Sequence, residues 1–321
     1  MSKRIVAIAL VLLVASLISG CAFVNVPLLP PPMPLEEQLL EGDGARKILL
    51  IDISGAITEQ EKSGGLLGRS APSMVSMVRE SLQKAEKDSR IAGVILRINS
   101  PGGTVTASDI IHHEITEFRK QKNIPVLACI MSVGTSGGYY VATAADEIIA
   151  HPTAITGSIG VILMKFNVEG LMGKIGVEQQ SVKSGDKKDI MSPFRKATPE
   201  EIKLGQEIID QLYGRFLDIV MARKGNSLTR DELLKLADGR LYTAGQALEG
   251  KLIDRIGYLD DVITSIRRTA GDDRARVVSY YRPGTYKGSI YADAGEQWGV
   301  LEMLGNLDAF SAGSFMYLWR P

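Results

Sequence analysis

An alternation of strand-like and helix-like segments from residue 47 onward constrains the fold of this chain most strongly. The strand-like segments are short apolar runs rich in β-branched residues, as expected of buried strands. Between them, apolar residues recur at helical spacing, for example Met74, Val78 and Leu82. This alternation indicates an α/β protein with a mostly parallel sheet covered by helices. The predicted strands are residues 47–57, 92–100, 124–131, 146–152 and 157–163, and the predicted helices are residues 73–88 and 107–122.

The character of the sequence changes after residue 197. Thr198, Pro199 and Glu201 form a capping-box start, which predicts a long helix running towards Lys224. Residues 229–270 have a helical pattern again. Residues 271–321 have no clear period, and we expect them to be a tail that could serve as an oligomer or partner surface.

The N-terminus has the pattern of an export signal. Lys3 and Arg4 precede an apolar run over residues 5–18, which is followed by small residues and Cys21. Residues 18–21, Ile-Ser-Gly-Cys, resemble the bacterial lipobox. Residues 1–20 are therefore predicted to be a lipoprotein-type signal peptide, with Cys21 carrying lipid at the start of a Pro-rich linker over residues 21–46. An uncleaved signal anchor is the alternative.

Composition excludes several classes of function. Lys plus Arg and Asp plus Glu both total 37, so no net positive field favours nucleic acid. Glycine-rich phosphate loops of the complete GxxxxGK[ST] type are absent from the sequence. Two cysteines and three histidines leave little material for a metal site or a disulfide scaffold. The sequence predicts neither a metal nor a cofactor.

The candidate catalytic residues lie where predicted strands end. Glycines in residues 99–103, Asn-Ser-Pro-Gly-Gly, would let backbone N–H groups approach a developing oxyanion closely. In residues 131–140, MSVGTSGGYY, two serines compete for the role of nucleophile. Ser136 lies between a strand and a helix, where the helix N-terminus favours an anion, whereas Ser132 falls inside or at the end of the strand, where a side chain is more often buried. Position therefore favours Ser136.

A serine nucleophile needs a base. His112 and His113 lie in a polar mid-helix context and are predicted to be solvated, and His151 precedes a proline at a strand end. A lysine is the alternative, provided that apolar surroundings penalise its charged form. Lys187 and Lys188 are the candidates, although the residues by themselves favour a solvated charge cluster on a turn.

Five segments in order resemble the signal peptide peptidase A (protease IV) family of serine proteases in its short, single-domain form. The resemblance covers about residues 47–265. It implies a Ser/Lys dyad on a fold similar to Clp protease and the crotonases, built of repeated ββα units, and assembly as a membrane-associated ring. The segments are NSPGG at 99–103, TSGGYY at 135–140, TGSIGV at 156–161, KSGDKKDIMSPFR at 183–195 and GRLYTAGQALEGKLIDRIG at 239–257.

The resemblance also implies roles for individual residues. Ser136 matches the nucleophile, Lys188 the general base and Ser158 the serine that helps orient the lysine. Gly103 and Gly137 match the donors of the oxyanion N–H groups. Lys187 stays in reserve, because neighbours on an extended strand face opposite ways. The serine and lysine are too far apart in sequence for a local pair, so they must meet through tertiary structure or across subunits.

The resemblance implies a peptidase domain over residues 47–270, acting on signal peptide remnants and other apolar, extended peptides. Its expected location is the bacterial cell envelope, anchored to the membrane with the catalytic domain outside the cytoplasm. The lipobox departs from the family, whose short members usually carry an N-terminal membrane helix. Two alternatives remain: a crotonase-like acyl-CoA enzyme, and a catalytically silent scaffold of the same fold.

Overall fold

The computed structural model describes residues 34–61, 72–282, 289–292 and 315–319. The chain divides into two units, Met1–Pro34 and Leu35–Pro321, and the elements below belong to the second. The strands are β1 (Glu36–Glu41), β2 (Lys47–Ser54), β3 (Ile91–Ser100), β4 (Gly102–Thr104), β5 (Val126–Thr135), β6 (Glu147–Ala150), β7 (Ile155–Gly157), β8 (Ile162–Leu163), β9 (Leu241–Thr243), β10 (Arg255–Ile256), β11 (Arg276–Tyr281) and β12 (Phe315–Leu318). The helices are α1 (Met74–Glu86), α2 (Val105–Lys122), α3 (Gly137–Ala142), α4 (Glu169–Lys174), α5 (Pro199–Ala222), α6 (Arg230–Leu236), α7 (Ala244–Glu249) and α8 (Leu259–Ala270).

Within the described residues, nine strands form one sheet in the order β1-β11-β2-β3-β5-β6-β10, with β7 and β9 continuing from the end of β5. The pairs from β11 to β10 along this path are parallel, and the β1–β11 and β7–β9 pairs are antiparallel. A second sheet contains β4, β12 and β8. The predicted α/β class, with a mostly parallel sheet covered by helices, is confirmed.

The two faces of the sheet bury separate apolar clusters. The larger cluster packs the sheet against α1, α2, α3 and α5, through residues such as Ile111, Tyr139 and Phe216. The smaller cluster packs the opposite face against α8, through residues such as Leu259 and Ile266. The central strands are therefore apolar on both faces, which explains their continuous apolar runs.

The start of α5 and the end of α2 have the caps expected at helix ends. The Thr198 side chain accepts a hydrogen bond from the Glu201 N–H, and the Glu201 carboxylate accepts one from the Thr198 N–H. This is the predicted capping box, and Pro199 is the first residue of the 24-residue helix α5. Helix α2 ends at Asn123, which adopts the left-handed conformation that stops a helix.

The structure departs from the sequence-based prediction at several places, and residues 36–41 of the predicted linker form β1 of the sheet. Residues 229–270 contain three helices interrupted by β9 and β10, because a helical pattern does not reveal short strands that join an existing sheet. Residues 157–163 are split into β7 and β8 instead of forming one strand. Residues 276–281 form β11, which lies between β1 and β2, so part of the expected tail belongs to the sheet.

The signal peptide, Cys21 and the Pro-rich stretch over residues 27–33 lie outside the described residues. Within the described ranges, no helix combines the length and the hydropathy needed to cross a membrane.

Candidate active site

Ser136 occupies a strained turn between β5 and α3. It is the N-cap of α3 and has a φ of 53° and a ψ of −116°, which is unusual for a residue with a side chain. Residues held in such conformations cost about 1–3 kcal/mol and cluster at functional sites. A sharp strand-to-helix turn also holds the nucleophilic serine in other hydrolases. The structure therefore has Ser136 at the strand-to-helix junction, where the sequence predicts it.

The segment over residues 156–161 packs directly against this turn. The Ser136 N–H donates to the Gly157 carbonyl oxygen at 2.8 Å. Thr156 donates from its hydroxyl to the Gly134 carbonyl oxygen at 2.7 Å. Ser158 follows with a φ of 51°, and its side chain lies in the same cleft as Ser136. Ser136 and Ser158, which only the resemblance had linked, are thus brought together.

The backbones of Gly103 and Gly137 lie close together beside Ser136. A Cβ atom added to Gly137 would lie 3.1 Å from the Gly103 amide nitrogen, and one added to Gly102 would lie 2.7 Å from the Gly137 amide nitrogen. Side chains at these positions would collide with the neighbouring backbone, so the close approach requires glycine. The two predicted oxyanion donors therefore converge on one place next to the nucleophile.

A cleft of about 580 Å³ opens from this place. One wall is the segment from Ser158 to Ile162, and another is the face of α5 that carries Gln206, Ile209, Asp210 and Tyr213. Leu318 and Trp319 complete it. Its lining combines apolar side chains with Gln206, Asp210 and Asp238 and includes no cationic side chain, so it suits an apolar peptide better than a highly charged anion.

Lys188 does not line this cleft. It lies on the exposed segment over residues 177–188, whereas Ser136 is 1% exposed. The structure of a single chain therefore does not bring the predicted nucleophile and the predicted base together.

The lysines of this segment nevertheless differ in their ion pairs. Lys187 pairs with Glu200, and Lys183 pairs with Asp189 at 2.7 Å. No carboxylate of a described residue lies within 4.0 Å of the Lys188 ammonium group. Of the neighbouring Lys187 and Lys188, Lys188 is therefore the one free to serve another site.

Arg195 fixes the end of the segment that carries Lys188. Its guanidinium group donates to both carboxylate oxygens of Asp189, at 2.8 and 3.0 Å, and to both of Glu201, at 2.5 and 2.9 Å. Hydrogen bonds from Arg195 hold the pKa of Asp189 well below its usual range and lower that of Glu201 to about 2. Because Glu201 also caps α5, the segment is attached to the start of that helix.

Sequence reasoning was wrong about two of the competing residues. His112 is not solvated, since it packs edge-on against Tyr140 and burial lowers its pKa to about 4. Ser132 lies inside β5 as predicted, but it is exposed rather than buried. Neither residue lines the Ser136 cleft, and the described residues that do line it include no histidine. Among the described residues, no group of three or more His, Cys, Asp or Glu could hold a metal ion.

Two parts of the cleft were missed by sequence reasoning. Gln206, Asp210 and Tyr213 lie on one face of α5 at helical spacing, a signal that could have grouped them. Leu318 and Trp319 come from a segment without any period, and nothing in the sequence pairs it with β4.

Comparisons with known proteins agree with the motifs. The profile of peptidase family S49 matches residues 118–272. A protein of Enterococcus faecium that carries the name signal peptide peptidase SppA is 36% identical over 245 residues, which is 76% of this chain and 70% of that protein. A protein of Methanocaldococcus jannaschii named as a protease is 34% identical over 71% of this chain and 73% of its own length. Protease 4 of Haemophilus influenzae is 32% identical over 71% of this chain but only 36% of its own length.

Among solved structures, a ClpP1 mutant from Listeria monocytogenes matches 68% of this chain and 94% of its own, with 18% sequence identity and a TM-score of 0.42. A likeness of this size carries no conclusion about activity or assembly. The sequence relatives show the family, because the match with the Enterococcus faecium protein covers 76% of this chain at 36% identity. The chain therefore belongs to peptidase family S49 and is a serine peptidase, a hydrolase of peptide bonds.

Proposed function

We propose that this chain is a membrane-associated endopeptidase that uses a Ser136–Lys188 dyad to degrade cleaved signal peptides and other apolar, extended peptides after protein export. The observation that carries the proposal is the position of Ser136, on a strained turn at the start of α3, beside the converging amides of Gly103 and Gly137. This arrangement supplies a nucleophile and oxyanion donors at one end of an apolar cleft.

In the proposed mechanism, the Ser136 oxygen attacks a peptide carbonyl carbon while neutral Lys188 takes the serine proton. The negative carbonyl oxygen accepts hydrogen bonds from the Gly103 and Gly137 N–H groups. Lys188 then gives the proton to the leaving amine as the peptide bond breaks. Water attacks the acyl-enzyme, releases the new carboxyl end and restores the Ser136 hydroxyl. Ser158 holds the lysine in position.

The dyad is proposed to form between two copies of the chain. Lys188 lies outside the cleft of its own chain, and the stretch over residues 166–202 that contains it exposes seven large apolar side chains. Large apolar side chains exposed close together along the chain are typical of protein interfaces. Burial there would also penalise the charged form of Lys188, as a base requires. The exposed side chains are Phe166, Leu171, Ile175, Val177, Val182, Phe194 and Ile202.

The membrane association and the substrates rest on the N-terminal sequence, on a relative and on the lining of the cleft. The export signal and Cys21 favour a lipid anchor in the bacterial cell envelope, and a tether would hold the cleft near peptides left in the membrane. One relative carries signal peptide peptidase in its name. The apolar lining of the cleft is compatible with such peptides.

A fluorophosphonate probe tests the nucleophile. It should label the full chain in detergent, and the Ser136→Ala variant should lose the label. Ser132→Ala is the matched control, because Ser132 lies four residues earlier, in β5, and is exposed. Retained labelling in Ser136→Ala together with lost labelling in Ser132→Ala would assign the nucleophile to Ser132.

Mixing variants tests the shared dyad. Ser136→Ala and Lys188→Ala chains should each be inactive alone, and a mixture assembled together should recover part of the activity. Recovery is expected because some sites would combine an intact Ser136 with an intact Lys188 from another copy. A mixture that stays inactive, while subunit exchange is shown by differently tagged chains, would place the dyad within one chain.

A further inference from the structure

The described residues that line the catalytic cleft include two carboxylates, which differ in their partners. Asp238 is paired with Arg240, whose Nε lies 2.7 and 2.9 Å from its two carboxylate oxygens. Asp210 accepts a hydrogen bond from the side-chain amide of Gln206 at 2.7 Å. No cationic group of a described residue lies within 4.0 Å of the Asp210 carboxylate. Asp210 therefore presents to the cleft a negative charge that its own described chain does not neutralise.

The surroundings of Asp210 suit a long side chain with an apolar stem. Ile209 lines the cleft beside it on α5, and Met164 belongs to the wall that follows Ser158. A Cβ added to Gly205 would lie 3.5 Å from Leu163 Cδ2, so this wall contacts α5 between one and two turns before Asp210. Lysine and arginine fit such a place, because their methylene stems pack on apolar side chains while the charged end stays with polar groups.

The Asp210 carboxylate lies a few peptide residues away from the nucleophile. Helix α3, which begins after Ser136, packs against α5 through Tyr140 and Phe216, whose ring centroids lie 4.9 Å apart. Asp210 comes six residues before Phe216, which is about 9 Å along the helix axis at about 1.5 Å per residue. An extended peptide covers this distance in about three residues, at about 3.3 Å each. A substrate side chain that reaches Asp210 thus belongs to a residue about two to four positions from the cleaved bond.

We infer that Asp210 forms a specificity subsite that selects a lysine or arginine of the substrate, a few residues from the cleaved bond. The apolar parts of the cleft take the neighbouring residues, so the preferred substrates are apolar peptides that carry one cationic side chain at this position. The inference rests on the proposed function, because it assumes that Ser136 attacks a peptide bound along this cleft. It adds a requirement for charge that the apolar lining does not supply.

Peptides that differ at one position test the selectivity. The full chain in detergent is given fluorogenic apolar peptides in which lysine, norleucine or glutamate replaces one residue at a time, on both sides of the cleaved bond. Norleucine keeps the stem of lysine and removes its charge. At one position, lysine should exceed norleucine by about 3- to 5-fold in kcat/KM, the size expected of an ion pair that stays in contact with solvent, and glutamate should be the poorest. Salt at about 1 M should remove most of this preference, because the Debye length falls to about 3 Å.

Variants at position 210 test the carboxylate. The ratio of kcat/KM for the lysine peptide to that for the norleucine peptide should fall to about one in Asp210→Asn and survive in Asp210→Glu. In Asp210→Lys the preference should invert in favour of glutamate. Glu207→Gln is the matched control, because it removes one negative charge from the same helix at an exposed residue that does not line the cleft. It should keep the ratio of the unmodified chain.

Equal kcat/KM values for the lysine and norleucine peptides at every position would overturn the inference. So would a preference for lysine that Asp210→Asn retains at any overall rate, or that Glu207→Gln loses to the same extent. Any of these results, obtained with a chain whose cleavage requires Ser136, would leave the proposed function intact. Cleavage that persists in Ser136→Ala, or no cleavage of any peptide, would instead count against the proposed function and against the inference that rests on it.

Discussion

The backbone amide of Ser136 donates a 2.8 Å hydrogen bond to the carbonyl oxygen of Gly157. This contact ties the strained turn that holds the nucleophile to the start of the segment that holds Ser158. Gly157 itself has a φ of +86°, and a Cβ there would lie 2.5 Å from the Tyr242 ring. The conformation of Ser136 thus depends on a backbone geometry at position 157 that only glycine can adopt.

The substitution Gly157→Ala should therefore lower kcat/KM at least tenfold. The added methyl group must displace Tyr242 or move β7, and either change shifts the acceptor of the Ser136 amide. Gly245→Ala is the control, because Gly245 is exposed in α7 and a Cβ there meets only Thr243 Oγ1, at 4.0 Å. Peptide hydrolysis and circular dichroism of both variants measure the effect. Equal activity in the two variants would show that the Gly157 contact does not position Ser136.

Lys188→Ala should abolish turnover, whereas Lys187→Ala should leave most of it. Loss of a general base costs about 10²- to 10⁴-fold in rate. Lys187 already pairs with Glu200, so it has a structural partner that Lys188 lacks among the described carboxylates. Initial rates of peptide cleavage by the two variants decide between them. The reverse pattern would move the assignment by one residue.

Arg195→Ala should loosen the segment that carries Lys188 and reduce turnover more than tenfold. The guanidinium group bridges Asp189 and Glu201, and alanine leaves two neighbouring carboxylates without a cation. Arg195→Lys should recover only part of the activity, since an ammonium group cannot bind both carboxylates in a planar fork. Limited proteolysis between residues 183 and 195 should accelerate in parallel. Arg274→Ala, which breaks an exposed pair with Asp43, should change neither measurement.

His112 should make the folded state sensitive to acid. Burial lowers its pKa from 6.5 to about 4, so as the pH falls the unfolded chain binds the proton first. The associated stability is complete above about pH 6.5 and is lost as the pH falls towards 4. Urea denaturation between these pH values should show a fall that is smaller in His112→Asn. His113→Asn, at an exposed neighbour, should keep the fall of the unmodified chain, and an equal fall in all three proteins would contradict the prediction.

Cys21→Ser should abolish lipid attachment in a bacterial host. The lipobox predicts that radiolabelled lipid enters the chain and that globomycin blocks its processing. Incorporation that is absent even in the unmodified chain would favour the uncleaved signal anchor.

The parts of this fold that the sequence predicts are those set by periodicity. The buried strands around Val94 and Val126 are continuous apolar runs, and helix α5 has a complete capping box at Thr198. Short strands such as β9 and β10 are two or three residues long, and they depend on partners that already form the sheet. Such pairing is a tertiary effect that no local pattern expresses.

The residues of the candidate site also divide into those that a local sequence pattern predicts and those that depend on tertiary contacts. Ser136 could be preferred over Ser132 because a strand-to-helix junction is visible in the sequence. The burial of His112 could not be predicted, because it depends on Tyr140, which comes from another helix. The place of Leu318 and Trp319 in the cleft could not be predicted for a similar reason, since it arises only when β12 pairs with β4.

Strand β1 lies at one edge of the sheet, at a fixed distance from the strand that leads to Ser136. The chain enters the sheet at β1, and the order β1-β11-β2-β3-β5 separates that strand from β5, which leads to Ser136, by four strand spacings. At about 4.8 Å for each spacing, this is roughly 19 Å. A tether attached before Leu35 would therefore pull on the β1–β11 ladder at the sheet's rim, and mechanical load would reach the hydrogen bonds of that ladder before it reached the turn that holds the nucleophile.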